Sequence, residues 1–237
     1  MYKRQNFWPA FGNTLFFTLV TVLLETILGI GMALVMAKDF HGRGLLRAAV
    51  LVPWAIPTAI TAKLWAFLFS EQGIVNSIFH AHVAWQTDPW AARFSIILAD
   101  VWKTTPFMAL LILAGLQMIP KDLYEAARMD GANAWQRFTR ITLPLAKNSI
   151  IVAVLFRMLD ALRMYDLPYI MVGPNPDSPT ATLSQLVVAA IRQDHVNAAS
   201  ALSTLIFLLI FLIALCFVKS LGSKVAHQAE PVVAEEE

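Results

Sequence analysis

The stretch Glu125–Leu145, "EAARMDGANAWQRFTRITLPL", is a short charged segment that lies between two of the most apolar parts of the chain. It contains two amphipathic pieces separated by Gly131, a residue that allows a turn or a close backbone approach. Small residues at Ala126, Ala127 and Ala132 permit close packing, whereas a helix resting on lipid would carry bulky apolar side chains. We therefore predict that this segment contacts another protein.

The composition around this segment is that of a membrane protein. Of 237 residues, 58% are hydrophobic and 14% charged, with a mean hydropathy of +0.62, whereas soluble domains carry about 25% charged residues. Spanning a bilayer takes about 20 apolar residues, and the stretches long enough are 14–36, 45–69, 94–118, 150–172 and 201–221. Because lipid offers the backbone no hydrogen-bond partner, we predict an all-α integral membrane protein with five transmembrane helices.

Lysine and arginine residues set the orientation of these spans. Ten of them fall in one set of loops and in the C-terminal region: Lys38, Arg43, Arg47, Lys121, Arg128, Arg137, Arg140, Lys147, Lys219 and Lys224. The positive-inside rule places the segment 120–145 and the C-terminus in the cytoplasm, and the N-terminus and the loops 71–93 and 173–200 outside. We predict a transmembrane domain over residues 1–222 and a disordered, acidic cytoplasmic tail over residues 223–237.

Several kinds of chemistry find no support in the sequence. It contains no glycine-rich phosphate-binding loop and no cluster with metal-ligand spacing. His80 and His82 fit a solvated outer loop better than a metal site, and Cys216 stands alone, so no disulfide forms within the chain. We expect no cofactor, no metal, no nucleic acid and no enzymatic activity of its own.

The opening segment resembles the signature of permease subunits of bacterial ATP-binding-cassette (ABC) importers. The pattern is E-A-A, three residues, Gly, nine residues and I-x-L-P, and it matches at Glu125, Ala126, Ala127, Gly131, Ile141, Leu143 and Pro144. In that family the segment, which here includes Asp130, is the coupling helix that docks into a cleft of an ATPase subunit. "NFWPAFGNTLFFT" and "LVPWAIPTAITAKLWAFLFSEQGIVN" resemble the family's second and third spans.

The resemblance implies a type I importer permease fold and a set of partners in a bacterial cytoplasmic membrane. These are a second homologous permease, two ATPase subunits that use ATP and Mg, and an extracytoplasmic sugar-binding protein. The nearest likeness is to sugar permeases, which implies a disaccharide such as trehalose or maltose as substrate. Such permeases usually have at least six core spans, so we expect the family's first span to be missing here, either through truncation, which the first five residues favour, or because the subunit does without it.

Four charged residues recur every three positions in the fourth predicted span: Arg157, Asp160, Arg163 and Asp166. On one helix such neighbours can pair, and a charge within a span is unfavourable by about 2.5–3.5 kcal/mol, so the stripe should face protein or a wet cavity. It could be an ion-pair ladder that fixes helix packing, or part of a sugar path with Tyr165 and Trp102 as aromatic surfaces.

Three further charges stand singly in predicted spans. Glu25 lies near mid-span, where it could pair with a neighbouring helix, and Lys63 lies toward the outer end, where it could extend to the interface. Lys103, near the outer boundary, fits either such an extension or the mouth of the sugar path. The alternatives to an importer subunit are a proton-coupled secondary transporter, with the charged stripe relaying protons, and a membrane scaffold without transport.

Overall fold

Long apolar helices make up most of the chain. The structure is a computed structural model that describes residues 4–80 and 82–228, and within these ranges it contains helices and no strand. The longest helices are α1 (Arg4–Ala37), α5 (Pro89–Gln117), α8 (Leu143–Ala161) and α11 (Val196–Gln228). The prediction of an all-α membrane protein is therefore confirmed for the described residues.

The second predicted span is broken into two helices. α2 (Arg43–Ala55) and α3 (Thr58–Leu68) meet at an angle of 86°. Between them Ile56 is extended, because the residue before a proline avoids helical geometry and Pro57 follows. The prediction of one continuous helix over 45–69 is wrong here. With this bent pair counted as one span, five spans remain by length and composition.

The fourth span lies earlier in the sequence than predicted. Its helix starts with α7 (Ala134–Arg137), continues through a π-helical turn (Phe138–Thr142) into α8, and ends at Ala161. A short helix, α9 (Asp166–Met171), follows after a turn. Pro168 has no N–H to offer the Met164 carbonyl, which instead accepts a hydrogen bond from Thr182 Oγ1 at 2.8 Å. The prediction of one helix over 150–172 is therefore wrong.

The centre of the molecule is formed by α1, α5 and α8, which pack against one another. Phe17, Ile96 and Ala99 belong to a buried cluster on one half, where α3 also packs against α9. Met36 and Ile112 belong to a second buried cluster on the other half. Every span thus contributes one face to the interior or lies beside it, and the charged residues of α1, α5 and α8 are brought together.

Shorter helices lie in the loops predicted to be outside. α4 (Ile74–Phe79) lies in the loop between α3 and α5, and α10 (Leu183–Arg192) begins at a capping box formed by Thr182 and Gln185. The loop before α10 is fixed by Asn13, whose Nδ2 donates to the carbonyls of Pro179 and Ala181 at 2.9 and 3.0 Å. This outer loop therefore has a defined position against α1.

The last helix runs further than predicted. α11 begins at Val196 and ends at Gln228, so its end overlaps the tail predicted to start at residue 223. Residues 229–237 of that tail lie outside the described part of the chain.

Candidate functional site

The segment Glu125–Leu145 forms two helical pieces joined by a turn. α6 (Lys121–Met129) ends at a turn in which Gly131 has a φ of +77°. α7 then begins at Asn133, whose side chain and that of Gln136 form a reciprocal capping box. Gly131 permits the left-handed turn, and the capping box defines the start of the second helix.

The surface of this segment is open, and its two most exposed apolar side chains lie on either side of the turn. Met129 is 84% exposed and Trp135 70% exposed, next to the turn. The signature residues Glu125, Ala126, Asp130, Leu143 and Pro144 are also exposed, while Ala127 and Ile141 are half-buried. Exposed large apolar residues that flank a glycine turn are typical of a protein-contact surface. The exposure of Met129 could not be predicted from the signature pattern.

Contacts join α6 to the rest of the chain. The Tyr124 hydroxyl lies 3.0 Å from Thr142 Oγ1 in the π-helical turn, so α6 is tied to the helix that becomes α8. At the other end, Lys121 Nζ donates to Asp39 at 2.8 Å, and Arg43 also pairs with Asp39. The hydrogen bond from Lys121 and the two positive charges lower the pKa of Asp39 below its usual range. The sequence pattern did not indicate any of these ties.

A buried charge cluster lies at the centre of the three packed helices. The Arg157 guanidinium on α8 makes a two-point contact with Glu25 on α1, with Nε to Oε2 at 2.5 Å and Nη2 to Oε1 at 3.0 Å. It also pairs with Asp100 on α5, and Thr104 Oγ1 donates to Glu25 at 2.6 Å. Glu25, Asp100 and Arg157 are almost fully buried. The predicted pairing of Glu25 with a neighbouring helix is found, whereas the participation of Asp100 was not predicted.

The charged stripe on α8 continues from this cluster to an exposed rim. Arg157 Nη1 donates to Asp160 Oδ2 at 3.1 Å, and Arg163 Nη2 lies 3.8 Å from Asp160 Oδ1. The side chains of Asp160 and Arg163 are each 64% exposed. Asp166 starts α9 beyond the turn, and no ion pair joins it to Arg163 among the described residues. The predicted four-member ladder is therefore corrected to three members.

Aromatic residues lie beside this rim. The rings of Tyr165 and Tyr169 stack with centroids 4.9 Å apart, and the Arg192 guanidinium lies 5.1 Å from the Tyr169 ring. Trp102 packs edge-on against Trp65 at 5.7 Å. Tyr169 and Arg192 were not predicted, because the turn that brings α9 and α10 together is not visible in the sequence.

Lys63 and Lys103 differ in their surroundings. The Lys63 side chain is exposed, as expected. Lys103 is buried within α5, and its Nζ donates to the Trp54 carbonyl at 3.3 Å, close to the break in the second span. Both predicted roles of Lys103, an extension to the interface and a place at the mouth of the sugar path, stay predictions. Among the described residues no group of three or more His, Cys, Asp or Glu could hold a metal ion.

The turn at Gly131, the bent second span and the packing of α1, α5 and α8 can be compared with those of known proteins. The family described as "Binding-protein-dependent transport system inner membrane component" matches residues 25–227. The chain belongs to this family. It is thus a multi-pass inner membrane component of a transport system.

Relatives within the permease family have assigned substrates. The trehalose/maltose transport system permease protein MalF of Thermococcus litoralis is 44% identical over 222 residues, which cover 92% of this chain and 75% of MalF. The trehalose transport system permease protein SugA of Mycobacterium tuberculosis is 39% identical over 221 residues, which cover 92% of this chain and 71% of SugA.

Solved structures of permeases have the same architecture. A chain of a bacterial ABC transporter involved in the import of the acidic polysaccharide alginate superposes with a TM-score of 0.84 at 26% identity, covering 94% of this chain and 81% of that one. A chain of the MetNI methionine ABC transporter shares the fold, with a TM-score of 0.67 at 19% identity, covering 93% and 98%. The fold is that of type I ABC importer permeases, as the resemblance implied.

Proposed function

We propose that this permease is the membrane subunit of an ABC importer that carries a disaccharide of the trehalose or maltose type. The observation that carries the proposal is the similarity to MalF over nine-tenths of the chain. The exposed rim of Asp160 and Arg163, with the half-buried Tyr165 close by in sequence, supports it, because carboxylates, guanidinium groups and aromatic rings suit the hydroxyls and apolar faces of sugars.

The mechanism is alternating access driven by partner proteins. Two ATPase subunits bind and hydrolyse ATP with Mg, and this chain binds no cofactor. Their closure moves α6, which docks into an ATPase cleft through Met129, Trp135 and the exposed face at Glu125. The tie between Tyr124 and Thr142 passes this movement to α8, whose outer end carries the rim.

A second, homologous permease completes the pathway. Charges exposed within a span are unfavourable against lipid, so Asp160 and Arg163 face a water-filled path between the two permeases. A sugar-binding protein delivers substrate to the outer loops, including the loop fixed by Asn13. The C-terminus of α11 lies in the cytoplasm, in agreement with Lys219 and Lys224.

The test is to purify the tagged chain from its native membrane with its partners and reconstitute the complex in vesicles. We expect recovery of an ATPase and a second permease, and ATP-dependent uptake of radiolabelled trehalose or maltose when a binding protein is added. An uncoupler should leave uptake intact while ATP is present. Uptake that collapses with the uncoupler would indicate the proton-coupled alternative, and recovery of the chain without an ATPase would indicate a scaffold.

A further inference from the structure

The buried cluster around Arg157 has no part in the function described so far. We propose that Arg157, held by Glu25 and Asp100, is a positioning residue that fixes the Asp160 carboxylate for substrate at the rim of the path. This inference rests on the proposed function. It concerns residues of α1 and α5 that lie behind the rim.

The geometry of the guanidinium supports a positioning role. Arg157 presents its planar set of N–H donors to three carboxylates, two of them buried and one exposed. Glu25 takes Nε and one Nη2 hydrogen, and Asp100 takes a second contact at Nη2. Nη1 is then directed to Asp160. A two-point contact fixes both the position and the plane of an arginine, which a lysine ammonium cannot do.

The buried partners are themselves fixed. Thr104 Oγ1 donates to Glu25 Oε1 at 2.6 Å, and the side chain of Glu25 is fully buried. α1, α5 and α8 therefore share one rigid arrangement at this point. The Arg157 side chain is 2% exposed and is held by this arrangement. Its contact with Asp160 restricts the motion of a side chain that is itself 64% exposed.

The consequence for Asp160 is preorganisation. An exposed aspartate on a helix end would sample several rotamers, and substrate binding would have to order it. With Oδ2 bound to Arg157 and Oδ1 near Arg163, the carboxylate is held before substrate arrives. Its remaining lone pairs can accept hydrogen bonds from sugar hydroxyls.

The experiment is a double-mutant cycle on the reconstituted complex. Asp160→Asn, Arg157→Lys and the double variant are compared for KM and maximal rate of disaccharide uptake. We expect each single variant to raise KM about tenfold, the loss of one hydrogen bond to a charged group. The double variant should be no worse than Asp160→Asn alone, because Arg157 acts through Asp160. Arg47→Lys, the same substitution on the cytoplasmic side, should leave KM unchanged.

Co-purification of the ATPase checks that each variant assembles, and Glu25→Gln replaces Arg157→Lys in the cycle if that variant does not. Effects on KM that multiply in the double variant would overturn the proposal, and so would a lowered maximal rate with an unchanged KM in Arg157→Lys. An unchanged KM in Asp160→Asn would also overturn it. Failure of the proposed function looks different, since the wild-type complex would then import no disaccharide.

Discussion

Gly131 occupies a backbone position that favours glycine strongly. Its φ of +77° lies in the left-handed region, and a Cβ added there would meet nothing within 4 Å in this chain. The restriction is therefore one of backbone strain, which is about 1–2 kcal/mol for a residue with a side chain. The same turn sets the angle between α6 and α7, so strain there acts on the docking surface itself.

We expect Gly131→Ala to reduce substrate-stimulated ATP hydrolysis of the reconstituted complex several-fold, because the turn relaxes away from the docking geometry. Gly131→Asn should retain more activity, since asparagine tolerates the left-handed region better. The control is Gly44→Ala in α2, where a Cβ also meets nothing within 4 Å and φ is not positive. Equal activity of Gly131→Ala and Gly44→Ala would contradict this prediction.

Like Gly131, Arg157 lies at a position that tolerates few substitutions. Arg157→Met leaves Glu25 and Asp100 buried beside each other without their cation, which should destabilise the permease by about 3–5 kcal/mol. The triple variant Arg157→Met, Glu25→Gln, Asp100→Asn removes the unpaired charges and should recover most of that loss. Thermal unfolding in detergent measures both. A triple variant no more stable than the single one would show that charge burial is not the cause.

At the scale of elements, the coupling segment offers the sharpest test. Met129 and Trp135 flank the turn as exposed apolar side chains. We expect Trp135→Asp to abolish recovery of the ATPase, and Met129→Ala to reduce it, because buried apolar area at such an interface is lost. Phe79→Asp is the control, since Phe79 is 75% exposed but lies in the outer loop. Unchanged ATPase recovery from Trp135→Asp would place the docking surface elsewhere.

The elements also show where sequence reasoning succeeds and where it ends. Local signals sufficed for the long helices and for the turn at Gly131, because apolar length and glycine chemistry act within one segment. The break at Pro57 and the break before α9 were not predicted, although Pro57 and Pro168 are both visible in the sequence. The second depends on Thr182, which satisfies the Met164 carbonyl from a distant loop.

The residues of the candidate site divide in the same way, into those that local spacing predicts and those that depend on tertiary packing. Arg157, Asp160 and Arg163 could be identified because their spacing is local to the end of α8 and the turn that follows it. Asp100 and the Tyr169–Arg192 contact could not, since they depend on which helices become neighbours. The partners of a buried charge are set by tertiary packing, and nothing in a single segment specifies them.

At the scale of the whole molecule, the property to measure is which side chains contact water and which contact lipid. The Asp160 side chain is 64% exposed and, on the proposed function, faces a water-filled path, whereas Leu212 on α11 is 58% exposed among apolar neighbours. In a Cys216→Ser background, Asp160→Cys in the assembled complex should react with a membrane-impermeant maleimide, and Leu212→Cys only with a lipid-soluble one. The rate of labelling in intact vesicles is the measurement. Equal protection of both cysteines from the impermeant reagent would place Asp160 in a dry interface.

The ion pairs of Arg157 also impose an order on biosynthesis. Glu25 precedes Arg157 by 132 positions, so at about 5–20 residues per second a ribosome makes the cation roughly 7–26 s after the carboxylate. Until Arg157 is made, α1 and later α5 carry Glu25 and Asp100 without their partner, and each carboxylate makes insertion of its helix less favourable by about 2.5–3.5 kcal/mol. A nascent chain arrested before residue 157 should remain beside the translocon or be degraded, and one arrested beyond α8 should be released into the bilayer. We therefore expect the synthesis of Arg157 to decide when these helices leave the translocon for the bilayer.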